Sequence, residues 1–273
     1  MKKLLIDKKG KRQLVEEGKD LHTHYGVISQ KDLEAIDYGG YVRSHTGAPF
    51  NIVSPTVVDF IEKMQKSAQI IYPKDSAIII GLCGLRSGSR VVEAGTGVAG
   101  MTMMLANTVS PEGKIYTYEI REDHFKESKS HIEEADLMDC VTMHNKSVYD
   151  GIEEDDLDAV ILDLPEPWMV SEDAYKKLKF GGHLVAYSPS IEQVKKFVTG
   201  LPQGFWQTET IEILLREWEV SEQRVRPKTR MVGHTGFVTI TRKLGEQPTE
   251  EPITRKLGEQ PTEEPAQKTS TKE

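Results

Sequence analysis

The 273-residue chain is poor in cysteine, in long apolar runs and in net positive charge, and each shortage excludes something. Its two cysteines, Cys83 and Cys140, sit in apolar surroundings without CxxC or Cys/His spacing. Disulfide frameworks and zinc sites need other patterns, so two buried free thiols are expected, and no metal. The longest apolar runs, Ser76–Leu82 and Asp158–Leu162, are far too short for a bilayer, and no membrane association is expected. The amino terminus, MKKLLIDKKGKRQ, is basic but lacks the apolar stretch of a secretory signal, which makes the cytoplasm the expected location. Mean hydropathy is −0.46. With 37% hydrophobic and 29% charged residues the composition is that of a soluble globular chain.

A net charge of −8 speaks against a polyanionic partner, but its distribution speaks for one. Ser221–Lys243 carries Arg224, Arg226, Lys228, Arg230, Arg242 and Lys243 against Glu222 alone. The first twenty residues are basic as well, with seven cations to four acids. Either run also reads as an ordinary solvated face.

Organisation is clearest at the end of the chain. ITRKLGEQPTEEP at Ile240–Pro252 is repeated at once over Ile253–Pro265. This polar, proline-containing stretch cannot bury enough surface to order itself, so residues 244–273 are expected to be a disordered, duplicated tail. From Arg90 to Ser188 strands and helices alternate. Arg90–Ala94, Lys114–Glu119, Val141–Asn145, Asp158–Leu164 and His183–Ser188 read as strands. Gly97–Thr108, Asp123–Ala135, Glu172–Leu178 (ended by Phe180-Gly181-Gly182) and Ile191–Thr199 read as helices. Such alternation predicts an α/β, Rossmann-like parallel sheet, with Thr208–Trp218 and Phe237–Arg242 as antiparallel edge strands around a basic loop. Short runs at Lys3–Asp7, Gly10–Val15, Gly26–Ser29 and Tyr38–Val42 predict a small β-rich domain ahead of it. A helix at Thr56–Met64 then leads into the sheet. The expected division is 1–65 for the small domain and 66–243 for the large one.

Chemistry concentrates at Glu93-Ala94-Gly95-Thr96-Gly97-Val98-Ala99-Gly100, directly after a strand and opening a helix. Glycines there permit tight turning and close approach of backbone to a ligand, and the helix start adds donors. The string also satisfies the dinucleotide fingerprint, so NAD and S-adenosylmethionine are both candidates. Glu119, ending the second strand, suits ribose hydroxyls in either case. Glu93 faces a diphosphate badly but suits the ammonium of a methionine moiety. Asp163-Leu164-Pro165-Glu166-Pro167-Trp168, after the fourth strand, supplies a carboxylate, prolines and an aromatic for a planar nitrogenous target. These companions favour methyl transfer. The plain readings are that Glu119 caps the next helix and that Asp163-Leu164-Pro165 merely ends a strand.

VVEAGTGVAG (Val91–Gly100), QIIYPKDSA (Gln69–Ala77), DLPEPW (Asp163–Trp168) and RPKTRMVGHTGF (Arg226–Phe237) together resemble the tRNA (adenine-N1)-methyltransferases acting on T-loop adenine 58, with archaeal forms also acting on adenine 57. The resemblance spans about residues 1–243. It implies a class I methyltransferase domain behind the β-rich module, tRNA as substrate and a homotetramer. It implies Val98–Gly100, Glu119, His124, Asn145 and Lys146 around S-adenosylmethionine, with Asp163 beside cofactor and adenine. The third-strand end departs from the family's acidic residue and reads His144-Asn145-Lys146, where Asn145 can still bond an exocyclic amine. Asp163 is the expected catalytic carboxylate, accepting from the adenine N6 amine. Tyr72 is expected to border a flipped base, and Arg226, Arg230 and His234 to touch RNA phosphates. Two rivals remain: a protein isoaspartate or small-molecule methyltransferase on the same fold, and a non-catalytic tRNA-binding subunit.

Overall fold

A computed structural model describes residues 2–15, 18–64 and 67–245; the tail from 246 onward, expected to be disordered, lies outside them. In chain order the amino-terminal elements are β1 (Leu4–Asp7), β2 (Arg12–Leu14), β3 (Leu21–Thr23), β4 (Gly26–Ile28), α1 (Gln30–Glu34), β5 (Tyr41–Arg43) and β6 (Pro49–Val53). Four of them form an antiparallel sheet in the order β2-β1-β6-β5, while β3 and β4 pair with each other. Alternation along the strands turns Leu5, Val42, Phe50 and Ile52 into one core shared with Ile28 and Leu33. Helix α1 was not anticipated. It is one short turn capped by the Ser29 hydroxyl, which accepts from the Asp32 N–H at 3.2 Å, and five residues carry no periodic signal.

Helix α2 (Val57–Lys63) ties this module to the rest. Thr56 and Asp59 close a reciprocal capping box at its start. Asp59 also accepts from the Arg12 guanidinium of β2 at 2.7 Å. On its other side, Ile61 enters the core of the large sheet. Helix α3 (Pro73–Leu82) follows, where the sequence suggested only an apolar run. Apolar residues occur all round it, from buried Ile79 to exposed Ile78 and Leu82, so no 3.6-residue period betrays it.

The large domain then runs β7 (Arg90–Ala94), α4 (Gly100–Val109), β8 (Lys114–Tyr118), α5 (Glu122–Glu134), β9 (Val141–His144), β10 (Leu157–Leu162), α6 (Ser171–Lys177), β11 (Leu178–Ser188), α7 (Ile191–Thr199), β12 (Phe205–Glu212), β13 (Trp218–Ser221), β14 (Arg224–Pro227) and β15 (Phe237–Lys243). Seven strands make one sheet in the order β12-β15-β11-β10-β7-β8-β9. Strands β11, β10, β7, β8 and β9 are mutually parallel, and β15 runs antiparallel to both β11 and β12. Burial on both faces explains the unbroken apolar run of β10, whose Ala159, Val160, Ile161 and Leu162 are wholly enclosed. The parallel order brings the carboxyl ends of β7, β8, β9 and β10 to one edge, and with them Gly95, Glu119, Asn145 and Asp163.

Several boundaries differ from expectation. The helix after β7 starts at Gly100, because Ala99 takes a left-handed φ of 69° and Gly97 one of 55°. Helix α6 is not ended by Phe180-Gly181-Gly182. The chain passes straight into β11, and both glycines lie inside that strand. The strand expected over Thr208–Trp218 stops at Glu212, and Trp218 starts a separate hairpin, β13–β14, within the expected loop. Leu244, assigned to the tail, is held by its N–H to the Gly204 carbonyl at 2.8 Å and accepts from the Tyr175 hydroxyl at 3.1 Å. Both cysteines are buried and free, and burial pushes the Cys83 thiol up to about 12.

Asp59 is therefore the hinge pin between module and sheet domain. Burial pushes its carboxyl up, but the bonds from Thr56 and the Arg12 guanidinium outweigh it and leave the group below its usual range. Asp59→Ala is expected to cost about 2 kcal/mol, from a lost cap and the lost charge-assisted bond to Arg12, which keeps its pair with Glu62. Denaturant unfolding of wild type and variant measures it.

Candidate active site

The glycine loop is shaped by its neighbour across the sheet. Gly95 has φ 91°, and a Cβ there would overlap the Asp163 carbonyl oxygen. The Asp163 N–H donates to the Ala94 carbonyl at 2.9 Å, and the Gly95 N–H to that of Tyr118 at 3.0 Å. Strand ends β7, β8 and β10 are thereby stitched together at one point. Gly100 faces the Ile70 side chain, which a Cβ would meet at 3.1 Å. Val98 and Ala99 are buried, and the Val98 carbonyl contacts His131 Nδ1 at 3.1 Å.

A buried acid and a half-buried one flank that point. Glu93, 2% exposed, accepts on Oε2 from the hydroxyls of Thr102 at 2.6 Å and Thr117 at 2.9 Å. Thr96 and Thr117 share a further hydroxyl contact of 2.6 Å. Burial pushes Glu93 up to about 7 against the pull of the two threonines, with repulsion from Asp163 and Glu119 adding to the rise. Burial likewise pushes Asp163 up to about 7. Its carboxyl has no hydrogen-bond partner among the described residues. Glu93, Gly95, Gly100 and Asp163 line one small cavity together with Gln69 and Thr96.

Glu119 serves the backbone around it. Oε2 accepts from the Gly97 N–H and Oε1 from the Arg121 N–H, each at 2.9 Å, with His124 Nδ1 at 4.0 Å from Oε2. Asn145 Nδ2 donates to the Glu119 carbonyl at 2.8 Å, which leaves its own amide oxygen free to accept. Lys146 turns away to an ion pair with Glu153, its ammonium 5.5 Å from the Tyr118 ring. Glu153 and Glu154 cluster with His144, but Lys146 and the Tyr118 hydroxyl already engage their oxygens.

Tyr72, at the start of α3, is 39% exposed and lines a groove of about 660 Å³. Arg216, Lys228, Arg230, Met231 and Val232 line it too, which brings Tyr72 and Arg230 together in one groove. Arg226 and His234 are not in that lining. Arg226 pairs with Glu219 at 3.2 Å, and His234 contacts Glu212 at 2.6 Å and the Pro189 carbonyl at 3.2 Å. The bond from Glu212, then the Pro189 carbonyl, raises the His234 pKa. The basic excess counted from Ser221 onward is thus smaller in space. Arg224 and Arg226 share Glu219, and Lys228 pairs with Glu217 at 2.9 Å. Arg242 and Lys243 belong to the far end of β15.

A family model described as "tRNA methyltransferase complex GCD14 subunit" matches residues 50–229. The chain belongs to this GCD14 family. It is 40% identical over 268 residues to the tRNA (adenine(57)-N(1)/adenine(58)-N(1))-methyltransferase TrmI of Methanocaldococcus jannaschii, covering 88% of this chain and 94% of that protein. Among solved structures, a protein titled a SAM-dependent O-methyltransferase from Thermotoga maritima superposes with a TM-score of 0.83 at 32% identity, over 90% of this chain and 94% of that one. TrmI of Aquifex aeolicus, titled a tRNA (m1A58) methyltransferase, gives a TM-score of 0.77 at 26% identity, covering 90% and 97%. The sheet described above is the class I methyltransferase fold, and the GCD14 family chain is an S-adenosylmethionine-dependent enzyme.

Sequence reasoning missed the side chains that hold this GCD14 site in shape. Thr102 and Thr117 solvate Glu93, with Thr96 behind Thr117, yet threonines on a strand and in a helix carry no signal of that role. Asp75, wholly buried, accepts from Lys74 Nζ at 2.6 Å and the Thr235 hydroxyl at 2.8 Å, with the Tyr187 hydroxyl at 3.5 Å. Lys74 Nζ also reaches the Ile213 carbonyl at 2.8 Å. Both roots of the arm 213–236 are thereby pinned beside Tyr72. An acid at the first turn of a helix was the available hint.

Because Glu93 has a folded pKa of about 7 against an ordinary 4.5, the folded protein holds the extra proton between those values. Stability is then fully present below about 4.5 and falls as pH rises through about 7. Asp163 adds the same sign. Chemical unfolding of the ligand-free protein between pH 5 and about 8 should show this loss. Glu93→Gln should flatten it in part, and Glu93→Gln with Asp163→Asn more fully; a variant curve parallel to wild type refutes the assignment.

Proposed function

We propose that the chain methylates N1 of adenine 58 in the T loop of tRNA, in the cytoplasm, as a homotetramer. Similarity to the M. jannaschii enzyme extends the reading to adenine 57. The observation that carries it is the unpartnered carboxyl of Asp163, set against the Gly95–Gly100 loop in a small strand-end cavity that it shares with Glu93. Two carboxyls whose surroundings raise them to near neutrality suit a cationic ligand, which lowers both pKa values and recovers part of the desolvation cost. A loop where even one Cβ clashes leaves backbone to face that ligand. S-adenosylmethionine supplies the methyl group, carried on a sulfonium.

The roles of the chain's own residues follow. Gly95, Gly97, Val98, Ala99 and Gly100 offer backbone; Glu93 and Asp163 offer negative charge. Glu119, with His124 behind it, takes the ribose by exchanging a backbone N–H for a hydroxyl. Asn145 accepts from an exocyclic amine through its free oxygen, and Lys146, paired to Glu153, borders that end. Adenine N1 presents its lone pair in the ring plane and needs no base, unlike a hydroxyl acceptor. Positioning therefore dominates. Asp163, accepting from the N6 amine, stabilises the positive charge that develops on the ring. Tyr72 walls the flipped base. Arg230 in the groove, with Arg226 and His234 outside it, meets phosphates. Leu214, Leu215, Trp218, Val220 and Val225, exposed on the arm, support self-association.

Asp163→Ala should lower turnover on unmodified tRNA by about 100-fold or more, by analogy with loss of one preorganised electrostatic group, with tRNA affinity near wild type. In wild type, activity should fall as pH drops through a value at or below about 7, the carboxylate form being lost there. Digestion and detection of 1-methyladenosine reads both. Intact turnover in the variant overturns the assignment of Asp163; label in protein, or none, overturns the acceptor.

A further inference from the structure

At the opposite end of the sheet from Gly95 and Asp163 lies a polar pocket of about 470 Å³ that nothing above uses. It opens where β7, β10 and β11 begin and β15 ends. Arg86, Asp158, Lys179, Phe180, His183 and Arg242 line it. Its charge is unbalanced. Asp158 is the one acid among those six, and it is spent: Oδ2 accepts from the Arg90 N–H at 2.8 Å and Oδ1 from Lys179 Nζ at 2.9 Å. Arg242 is anchored through Nε to the Gly181 carbonyl at 2.8 Å, which aims it without neutralising it. Neither Arg242 nor Arg86 meets a carboxylate among the described residues. Burial, and then the Arg242 charge, hold His183 below its usual value, so it stays a neutral hydrogen-bonding group.

Beside these cations stands an aromatic platform. Phe180 is 75% exposed although it sits in a strand. Lys243 Nζ lies 4.9 Å from its ring centroid. Gly181 keeps the backbone close: a Cβ there would meet Arg242 Nη2 at 3.4 Å. Guanidiniums without counter-charges next to an exposed ring are the features that bind an unpaired nucleotide, phosphate to the arginines and base to the ring.

We propose that this pocket takes a phosphodiester of the tRNA outside the T loop, with its unstacked base on Phe180. The proposal rests on tRNA being the substrate. Seven residue steps of β11, from Gly181 to Ser188, separate the two ends of the sheet by about 23 Å, a distance one folded RNA easily bridges. The pocket is then a second grip, so it adds to affinity for whole tRNA and not to the reaction.

The full-length protein, an Arg86→Gln/Arg242→Gln variant and Phe180→Ala are compared for binding to unmodified tRNA and to its isolated T-arm hairpin. Affinities are measured across a salt series by fluorescence polarisation. The double variant should bind whole tRNA about tenfold more weakly, with a salt slope reduced by about one, since one neutralised phosphate is lost. Phe180→Ala should weaken whole-tRNA binding about fivefold at unchanged slope. Hairpin affinity should match wild type for both, which also shows that the variants are folded. Whole-tRNA affinities and slopes equal to wild type overturn the proposal, as does equal weakening on the hairpin. Formation of 1-methyladenosine on the hairpin by wild type separates the two readings: its absence sinks the assigned acceptor, while the binding differences judge the pocket alone.

Discussion

Gly95 and the Asp163 carbonyl touch with no room for a Cβ, and the amide of Asp163 closes onto Ala94 at the same place. The ends of β7 and β10 are locked there, and everything chemical in the molecule is placed relative to that lock. Asp163 leaves its strand in a fixed direction because its N–H is bound by Ala94 and its carbonyl is packed against Gly95. The loop up to Gly100 has to turn immediately, which requires the left-handed geometry at Gly97 and Ala99 and delays the helix by three residues. Ile70 then closes over Gly100 and carries the segment leading to Tyr72 and α3 across the top of the sheet.

Around the lock the protein accumulates negative charge that it does not neutralise. Glu93 is solvated by two threonine hydroxyls and Asp163 by nothing among the described residues. A carboxylate removed from water this way is costly unless a cation completes it. The cost falls on the empty protein and is relieved by a positively charged ligand, so part of the affinity for that ligand is stored in the fold beforehand. The module at the amino terminus works in the opposite manner: Asp59 has its guanidinium and its cap, and is stable without any ligand.

Strong periodicity made most of the sheet domain legible. β7, β8, β9, β10 and α7 lie where alternation and apolar runs place them, and Gly95–Gly100 and Asp163 were visible as motifs. What stayed hidden has physical reasons. α3 is apolar all round, α1 is one turn, and Gly181-Gly182 look like a helix stop when they are a place where strands crowd. Spatial neutralisation was invisible too. A count begun at Ser221 excludes Glu217 and Glu219, which lie across the hairpin from the arginines. The Glu93 threonines and the Lys74–Asp75–Thr235 clamp join residues up to 161 positions apart, which no local pattern reports.

The β13–β14 hairpin carries its own counterions. Arg224 and Arg226 face Glu219, and Lys228 faces Glu217, all on a projecting, solvent-washed arm. Small ions around a free cation scatter into bulk when a phosphate arrives, and their entropy drives association. Carboxylates fixed to the same backbone cannot scatter. A phosphate approaching this arm must compete with a tethered rival, so indiscriminate attraction to any polyanion is muted. Only a backbone whose phosphates fall where the guanidiniums can swing across wins the exchange. An acidic protein can thus expose arginines while remaining a poor general binder of polyanions.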